Sequence, residues 1–216
     1  MLNLECDEDA NDEDSDSDSE IFPDIDHEIE NEFDPDAGFN KFRGEVHESL
    51  LRGFNEGIKV DNLVLEINSS RHAYAVDASQ VIQSVLTSIL EIASSEADSE
   101  NLSQLHSETK KCLKNFNGIL KNYVKSRIAQ KDCLSSLKNF VVEKSHFLPI
   151  IAQIIHELYD QEILSDDSIL DWYENLSDSN IKEHKRMELF IKWLKVDDDE
   201  DDSDEEDSDE SSSDEE

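Results

Sequence analysis

The sequence predicts an all-α fold, a HEAT-like α-solenoid of about eight helices with disordered acidic tails at both ends. Three observations lead to this prediction. Five Gly and three Pro among 216 residues are few helix breakers. Apolar residues recur at helical spacing, and strict alternation of apolar and polar residues is nearly absent. The resulting string of short-to-medium helices is typical of antiparallel helix pairs stacked in a solenoid, although no strict sequence repeat is present.

The first three helices are predicted from apolar stripes and one cap. Asp77 is a plausible N-cap for the third helix, because its side chain can accept a hydrogen bond from the first turn. The polar residues 94–101 that follow are predicted to form a loop. The apolar stripes of the three helices are, in order, Phe42, Val46, Leu50 and Phe54; Val60, Leu63, Val64 and Ile67; and Val81, Val85, Leu86 and Ile89.

Five more helices follow from the same spacing. Pro149 is expected near the start of the sixth, where a missing N–H costs least. Asp166 or Asp167 is expected to cap the short seventh. The eighth is expected to end where the acidic tail begins. Their apolar positions are Cys112, Leu113, Phe116, Leu120 and Tyr123; Leu134, Leu137, Phe140 and Val141; Ile150, Ile154, Ile155 and Leu158; Ile169, Leu170 and Trp172; and Leu189, Phe190, Trp193 and Leu194.

The net charge of −36 is concentrated at the two ends of the chain. Residues 1–40 contain 17 acids and residues 197–216 contain 15, with no Lys or Arg in either segment, so residues 41–196 carry a net charge of only −4. Both ends have too little apolar surface to offset the entropy of ordering and are predicted to be disordered. Residues 41–196 are predicted to form the domain, with 41–76 and 77–196 as its two parts. Such acidity disfavours DNA or RNA as a direct ligand and favours basic protein partners.

Several classes of function are excluded or disfavoured by missing patterns. There is no Gly-rich phosphate loop and no GxSxG elbow. In the segment His156–Asp160, an aspartate replaces the second histidine of a zinc-binding HExxH helix. The three cysteines, two of them expected in the core, fit a reducing compartment. No signal peptide and no membrane span is apparent. We therefore expect a cytosolic binding protein without a metal, a cofactor or bond-making chemistry.

Two segments stand out from this background. The first is the block Asp61–Tyr74, DNLVLEINSSRHAY. The second combines LYDQEIL and ILDWY, within residues 158–173, with FIKWLK at 190–195 and the acids after it. There, aromatic and acidic residues alternate at helical spacing, which suits a partner segment rich in Lys. Trp172 and Trp193 are each equally compatible with a core position and an exposed one.

At these residues the sequence resembles the C-terminal HEAT domain of translation initiation factors. The acidic–aromatic boxes occur in the epsilon subunit of initiation factor 2B, in initiation factor 5 and in initiation factor 4 gamma. The block Asp61–Tyr74 is similar to the catalytic segment of the 2B epsilon subunit. That subunit normally carries a nucleotidyltransferase-like domain and a left-handed β-helix before this segment, and neither is present in this sequence. Assembly with other 2B subunits is therefore open.

The resemblance implies guanine-nucleotide exchange on initiation factor 2. Glu66 falls on the glutamate that this exchange requires, and Ser49 on a hydroxyl position of the same surface. The acidic–aromatic boxes imply binding to the Lys-rich arm of the factor 2 beta subunit. The end of the domain that carries Glu66 is implied to contact the GTPase subunit. The residues expected to bind these partners are Ser49, Tyr159, Asp160, Glu162, Asp166, Asp167, Trp172 and Trp193.

Three classes of function stay open at this stage. The first is exchange, which the block Asp61–Tyr74 favours. The second is a binding-only module that captures the Lys-rich arm without exchange. The third is an acidic chaperone for histones or ribosomal proteins, which would not depend on either tryptophan. Serines followed by acids in the C-terminal tail, such as Ser203 and Ser213, also suggest phosphorylation by an acid-directed kinase.

Overall fold

The structure is a computed structural model that describes residues 36–97 and 101–201, with the side chains of residues 36–97 and 101–196. Within these residues the protein is all-α and HEAT-like, and all of them belong to one compact unit. A 3₁₀ helix, Ser145–Ile150, precedes α7. The α-helices are α1 Ala37–Glu56, α2 Val60–Ala73, α3 Ala78–Glu96, α4 Leu102–Asn115, α5 Asn117–Tyr123, α6 Arg127–Glu143, α7 Ile151–Asp160, α8 Asp166–Glu174, α9 Ser179–Lys182 and α10 Lys185–Asp201.

Helix α3 lies at the centre of the stack. It packs against α1, α4, α5 and α6, and its residues from Val81 to Ala93 are buried around nearly the whole circumference. The predicted N-cap is confirmed, because Asp77 and Gln80 form a reciprocal capping box. From α3 the contacts run in one direction through α1 to α2, and in the other through α4 and α7 to α10. The two segments singled out in the sequence therefore belong to opposite ends of this series of contacts.

The described residues contain ten α-helices where the sequence predicted about eight. The predicted fourth helix is divided at Phe116 into α4 and α5. The weak helix formers Asn117 and Gly118 begin α5. The apolar spacing continues across the single residue between the two helices, so the spacing does not reveal the break. The second additional helix is α9, a single turn before α10.

Several predicted boundaries also shift. Helix α3 continues to Glu96, into the predicted loop. Pro149 lies in the 3₁₀ helix rather than in the first turn of α7. Ser165, and not either aspartate, caps α8, since its Oγ accepts from the Ser168 N–H. Asp166 and Asp167 instead occupy the first turn, where the helix dipole favours negative charge.

Helices also extend into both segments that were predicted to be disordered. Helix α1 begins at Ala37, and Phe39 in its first turn packs against the core. Helix α10 continues to Asp201, because an established helix gains one hydrogen bond for each residue it adds. The rest of the predicted tails, residues 1–35 and 202–216, and with them the tail serines, lie outside the described residues. Cys112 and Cys133 are fully buried, as predicted.

A glycine allows α1 and α2 to approach closely. A Cβ added to Gly53 would lie 2.6 Å from Cδ1 and 3.1 Å from Cδ2 of the buried Leu63. We expect Gly53→Ala to lower the free energy of unfolding by about 1–2 kcal/mol, since an overpacking cost of about 1–3 kcal/mol exceeds a helix-propensity gain of about 0.5–1 kcal/mol. Urea denaturation measures the change.

Gly44 in the same helix provides the matched control. A Cβ there would meet no heavy atom within 4 Å, so Gly44→Ala should raise the stability by about 0.5–1 kcal/mol. Equal stability of the two variants would show that α1 and α2 do not approach closely at Gly53.

Candidate functional site

Helices α1 and α2 enclose an open groove of about 570 Å³. We call it the α1–α2 groove. Three of its side chains are carboxylates and one is a guanidinium, so its local charge is negative. The residues that line it are Glu45, Glu48, Ser49, Arg52, Glu66, Ser69 and Ser70.

Glu66 and Ser49, which were singled out from different helices in the sequence, line this same groove. The Glu66 side chain is 41% exposed, so it is accessible to a partner. Its carboxylate is not isolated, because Nη2 of Arg52 lies 2.5 Å from its Oε2. The roles of Ser49 and Glu66 stay predictions. Arg52 was not singled out from the sequence, although its position three residues after Ser49 places both on one face of α1.

A second carboxylate of the groove, that of Glu45, connects α1 with the end of α2. Glu45 accepts hydrogen bonds from the Ser70 hydroxyl, at 2.5 Å, and from the Tyr74 hydroxyl, at 2.6 Å. These two bonds hold the pKa of Glu45 below its ordinary value, and the bond to Glu45 raises the pKa of Tyr74. The carboxylate therefore stays ionised at neutral pH and ties α1 to the end of α2. The block Asp61–Tyr74 thus supplies both an accessible glutamate and the anchors that position its helix.

At the other end of the described stack, α7 and α10 present a cluster of rings. We call His156, Tyr159, Phe190 and Trp193 the aromatic patch. Trp193 is 42% exposed, and the centroids of the other three rings lie 5.7–6.0 Å from its centroid. Leu189, one turn earlier in α10, is 59% exposed. Trp193 is therefore a surface residue that lies beside three other rings and remains partly open to solvent.

The acids predicted to bind a partner next to this patch are largely paired within the chain. We call Asp160, Glu162, Asp166 and Asp167 the first acidic box. Nδ1 of His156 lies 3.3 Å from Asp160, Nζ of Lys121 lies 3.0 Å from Glu162, and Nη1 of Arg127 lies 3.5 Å from Asp167. Asp166 has no ion-pair partner among the described residues. Glu162 adopts a φ of 57°, a left-handed conformation that favours glycine.

Trp172 does not join the aromatic patch. It is 9% exposed, and most of its indole lies in the core beneath α8. The small remaining face borders a groove lined by Lys131, Lys138 and Asp171 rather than by the first acidic box. The prediction that Trp172 contacts a partner is therefore not supported by its position, because apolar spacing at 169, 170 and 172 turns this side chain inward.

Glu157 is a buried carboxylate between α7 and α4. Only 6% of its side chain is exposed, and it accepts from Lys110 Nζ at 2.7 Å and from Gln161 Nε2 at 3.0 Å, with Lys114 at 3.7 Å. Burial raises the pKa of Glu157, but the hydrogen bonds and the two lysine charges outweigh burial and lower it below 4.5. The stabilisation from this group is therefore fully present above about pH 4.5, and is lost as the pH falls through the folded-state pKa.

We expect Glu157→Gln to lower the free energy of unfolding by about 1–2 kcal/mol at pH 7, because a charge-assisted buried interaction is lost. The difference from the wild type should shrink as the pH falls towards 3. Urea denaturation at a series of pH values measures it. The exposed Glu56→Gln variant should follow the wild type throughout, and a Glu157→Gln deficit that does not change with pH would contradict the assignment.

Within the described ranges, no three His, Cys, Asp or Glu side chains are arranged to hold a metal ion. No helix among these residues has the length and apolar character that crossing a membrane requires.

The second of the two segments singled out in the sequence lies within a match to a known protein family. Residues 129–204 match the W2 family, described as eIF4-gamma/eIF5/eIF2-epsilon. This range begins in α6 and includes the first acidic box and the aromatic patch. It does not include the α1–α2 groove.

Longer matches extend beyond this range. The chain is 29% identical over 179 residues to translation initiation factor eIF2B subunit epsilon of Dictyostelium discoideum, covering 80% of this chain and 25% of that protein. It is 21% identical to eIF5-mimic protein 2-A of Danio rerio and 22% identical to eIF5-mimic protein 2 of Homo sapiens, each over 73% of this chain and 38% of the relative. The chain thus spans between a quarter and two fifths of the length of these relatives.

Proposed function

We propose that this chain, which carries a W2 domain at residues 129–204 and resembles eIF2B subunit epsilon over most of its length, promotes release of GDP from translation initiation factor 2. The observation that carries the proposal is the α1–α2 groove. There, Glu66 and Ser49, the two residues that the epsilon resemblance assigns to exchange, line one accessible surface of negative charge. The site of action would be the cytosol.

The two ends of the stack suit two parts of the same partner. The α1–α2 groove would contact the GTPase subunit. The aromatic patch and the first acidic box would hold the Lys-rich arm of the beta subunit, because exposed rings bind lysine stems and carboxylates bind the ammonium groups. The helices between them belong to the same compact unit and would hold the two surfaces apart. Assembly with other subunits of initiation factor 2B would require parts of the epsilon relative that this chain does not match.

Exchange requires no covalent chemistry. It requires that the chain binds the nucleotide-free GTPase more tightly than the GDP-bound one, and every 1.4 kcal/mol of this difference is about a tenfold change in an equilibrium constant. The Glu66 carboxylate can supply such a difference by competing with GDP phosphate for a lysine, or by perturbing the ligands of Mg²⁺. Arg52 would hold the carboxylate in place until a cation of the partner replaces it.

A binding-only module is the second candidate. The eIF5-mimic proteins also match 73% of this chain, and residues 129–204, which contain the arm-binding surfaces, match a family that is not restricted to the epsilon subunit. In that case the chain would hold initiation factor 2 without accelerating GDP release. The accessible Glu66 and the higher identity to the epsilon subunit favour exchange.

The test is the release of a fluorescent GDP analogue from purified initiation factor 2, with the chain present below the concentration of the factor. Catalytic acceleration is expected. Binding in a parallel pull-down without acceleration would replace exchange by the binding-only function, and absence of binding would overturn both. Polyglutamate at the same total charge serves as a control, because it reproduces the acidity of the chain without its groove.

A further inference from the structure

The basic residues of this acidic chain are concentrated in one stretch. Residues 110–144 contain nine of the 19 Lys and Arg residues and only two acids. This stretch covers the last six residues of α4 and all of α5 and α6. Helix α4 packs against α7, and α6 packs against α8. Three of its cations, Lys121, Arg127 and Lys131, point to acids of the segment 160–171, and we call them the basic row.

The contacts of the basic row are direct ion pairs. Lys121 Nζ lies 3.0 Å from Glu162. Arg127 lies 3.5 Å from Asp167 and 3.2 Å from Asp171, and Lys131 lies 2.9 Å from Asp171. Lys131, followed by Arg127, holds the pKa of Asp171 below its usual range. Two of the four acids of the first acidic box, Glu162 and Asp167, are therefore already paired with cations from this chain.

These ion pairs are exposed, so a cation of a partner can replace the cation of this chain. About half of each basic side chain is exposed, as are 86% of Glu162 and 73% of Asp167. Ion pairs in such positions contribute little to folding stability, and their charges remain in contact with solvent. The ammonium of Lys121 has the same chemistry as a lysine of an incoming segment. The two would compete for the same carboxylates on equal chemical terms.

From this geometry we infer that the basic row is an internal competitor for the Lys-rich segment of the partner, and that it limits the affinity of the first acidic box. The inference rests on the proposed capture of a Lys-rich arm. A single lysine of a partner gains nothing by replacing Lys121 or Arg127. A dense run of lysines occupies several carboxylates at once, so the row selects Lys-rich segments over isolated basic residues and keeps their capture reversible.

The test compares two charge-matched double variants of the full chain. Lys121→Gln with Arg127→Gln removes two cations of the row. Lys41→Gln with Lys59→Gln removes two cations that form no ion pair with the first acidic box. The probe is a fluorescent oligolysine peptide, and its Kd is measured by anisotropy at fixed ionic strength. We expect the row variant to bind about fivefold to tenfold more tightly than the wild type, and the control variant to change by less than about twofold.

The outcomes separate this inference from the proposed function. If the wild type binds oligolysine and the row variant binds no more tightly than the control variant, the competitor is absent, while capture of the arm stands. If neither the wild type nor the row variant binds the peptide, capture itself fails and the inference fails with it. Lys121→Gln alone, which removes a single exposed contact, should give an intermediate Kd, and its thermal midpoint should equal that of the wild type.

Discussion

Glu66→Gln is expected to slow chain-stimulated GDP release about 10- to 100-fold, equivalent to about 1.4–2.8 kcal/mol of lost coupling. The amide keeps the shape of the side chain but cannot attract a lysine or a metal ligand as a carboxylate does. Folding should be unaffected, because the Glu66–Arg52 pair is 41% and 47% exposed and such pairs contribute about 0–1 kcal/mol. The fluorescent GDP assay and a thermal unfolding curve measure the two quantities.

The matched control is Glu56→Gln, at the end of α1 and outside the α1–α2 groove. It removes the same charge from the chain and should leave the rate unchanged. Arg52→Gln in the wild-type and Glu66→Gln backgrounds then completes a double-mutant cycle. If Arg52 acts by positioning Glu66, its substitution has no further effect once Glu66 is lost. An unaltered release rate in Glu66→Gln would rule out the proposed role of this carboxylate.

The features of the fold that could be predicted are those that local sequence determines. The four-residue steps from Phe42 to Leu50 identified α1, and the Asp77 side chain identified the start of α3, because both signals act within a turn or two. The break at Phe116 was missed for the same reason. Apolar spacing remains in phase across an interruption of one residue, so periodicity alone cannot locate it.

For the candidate site, prediction from the sequence is limited in a different way. Pattern and resemblance selected Glu66 and Ser49, but the contacts of Arg52 and Glu45 connect α1 with α2, so they depend on the crossing of two helices. The pairing of Glu162 and Asp167 in the first acidic box depends likewise on packing between distant segments. Charge counting treats the acids of residues 160–171 as free, although Lys121 and Arg127 lie beside them.

Trp193→Ala is expected to weaken binding of an oligolysine peptide about 30-fold, the size of a loss of about 2 kcal/mol at an aromatic hot spot. The indole is 42% exposed and is supported by Tyr159, His156 and Phe190, so it offers a fixed flat surface to lysine stems and ammonium groups. Anisotropy of the labelled peptide measures the loss. Trp172 is not a suitable comparison, since its substitution would disturb the core.

Leu189→Ala is the appropriate control, because Leu189 lies one turn earlier on α10 and is 59% exposed without an aromatic ring. It should change the affinity by less than about threefold, since truncating most exposed residues around a hot spot costs little. An unchanged affinity in Trp193→Ala would mean that charge alone holds the lysines, as in an acidic chaperone for any basic protein. If Trp193→Ala weakens binding of the peptide and Leu189→Ala does not, the aromatic patch itself contributes to binding, because neither variant alters the net charge of the chain.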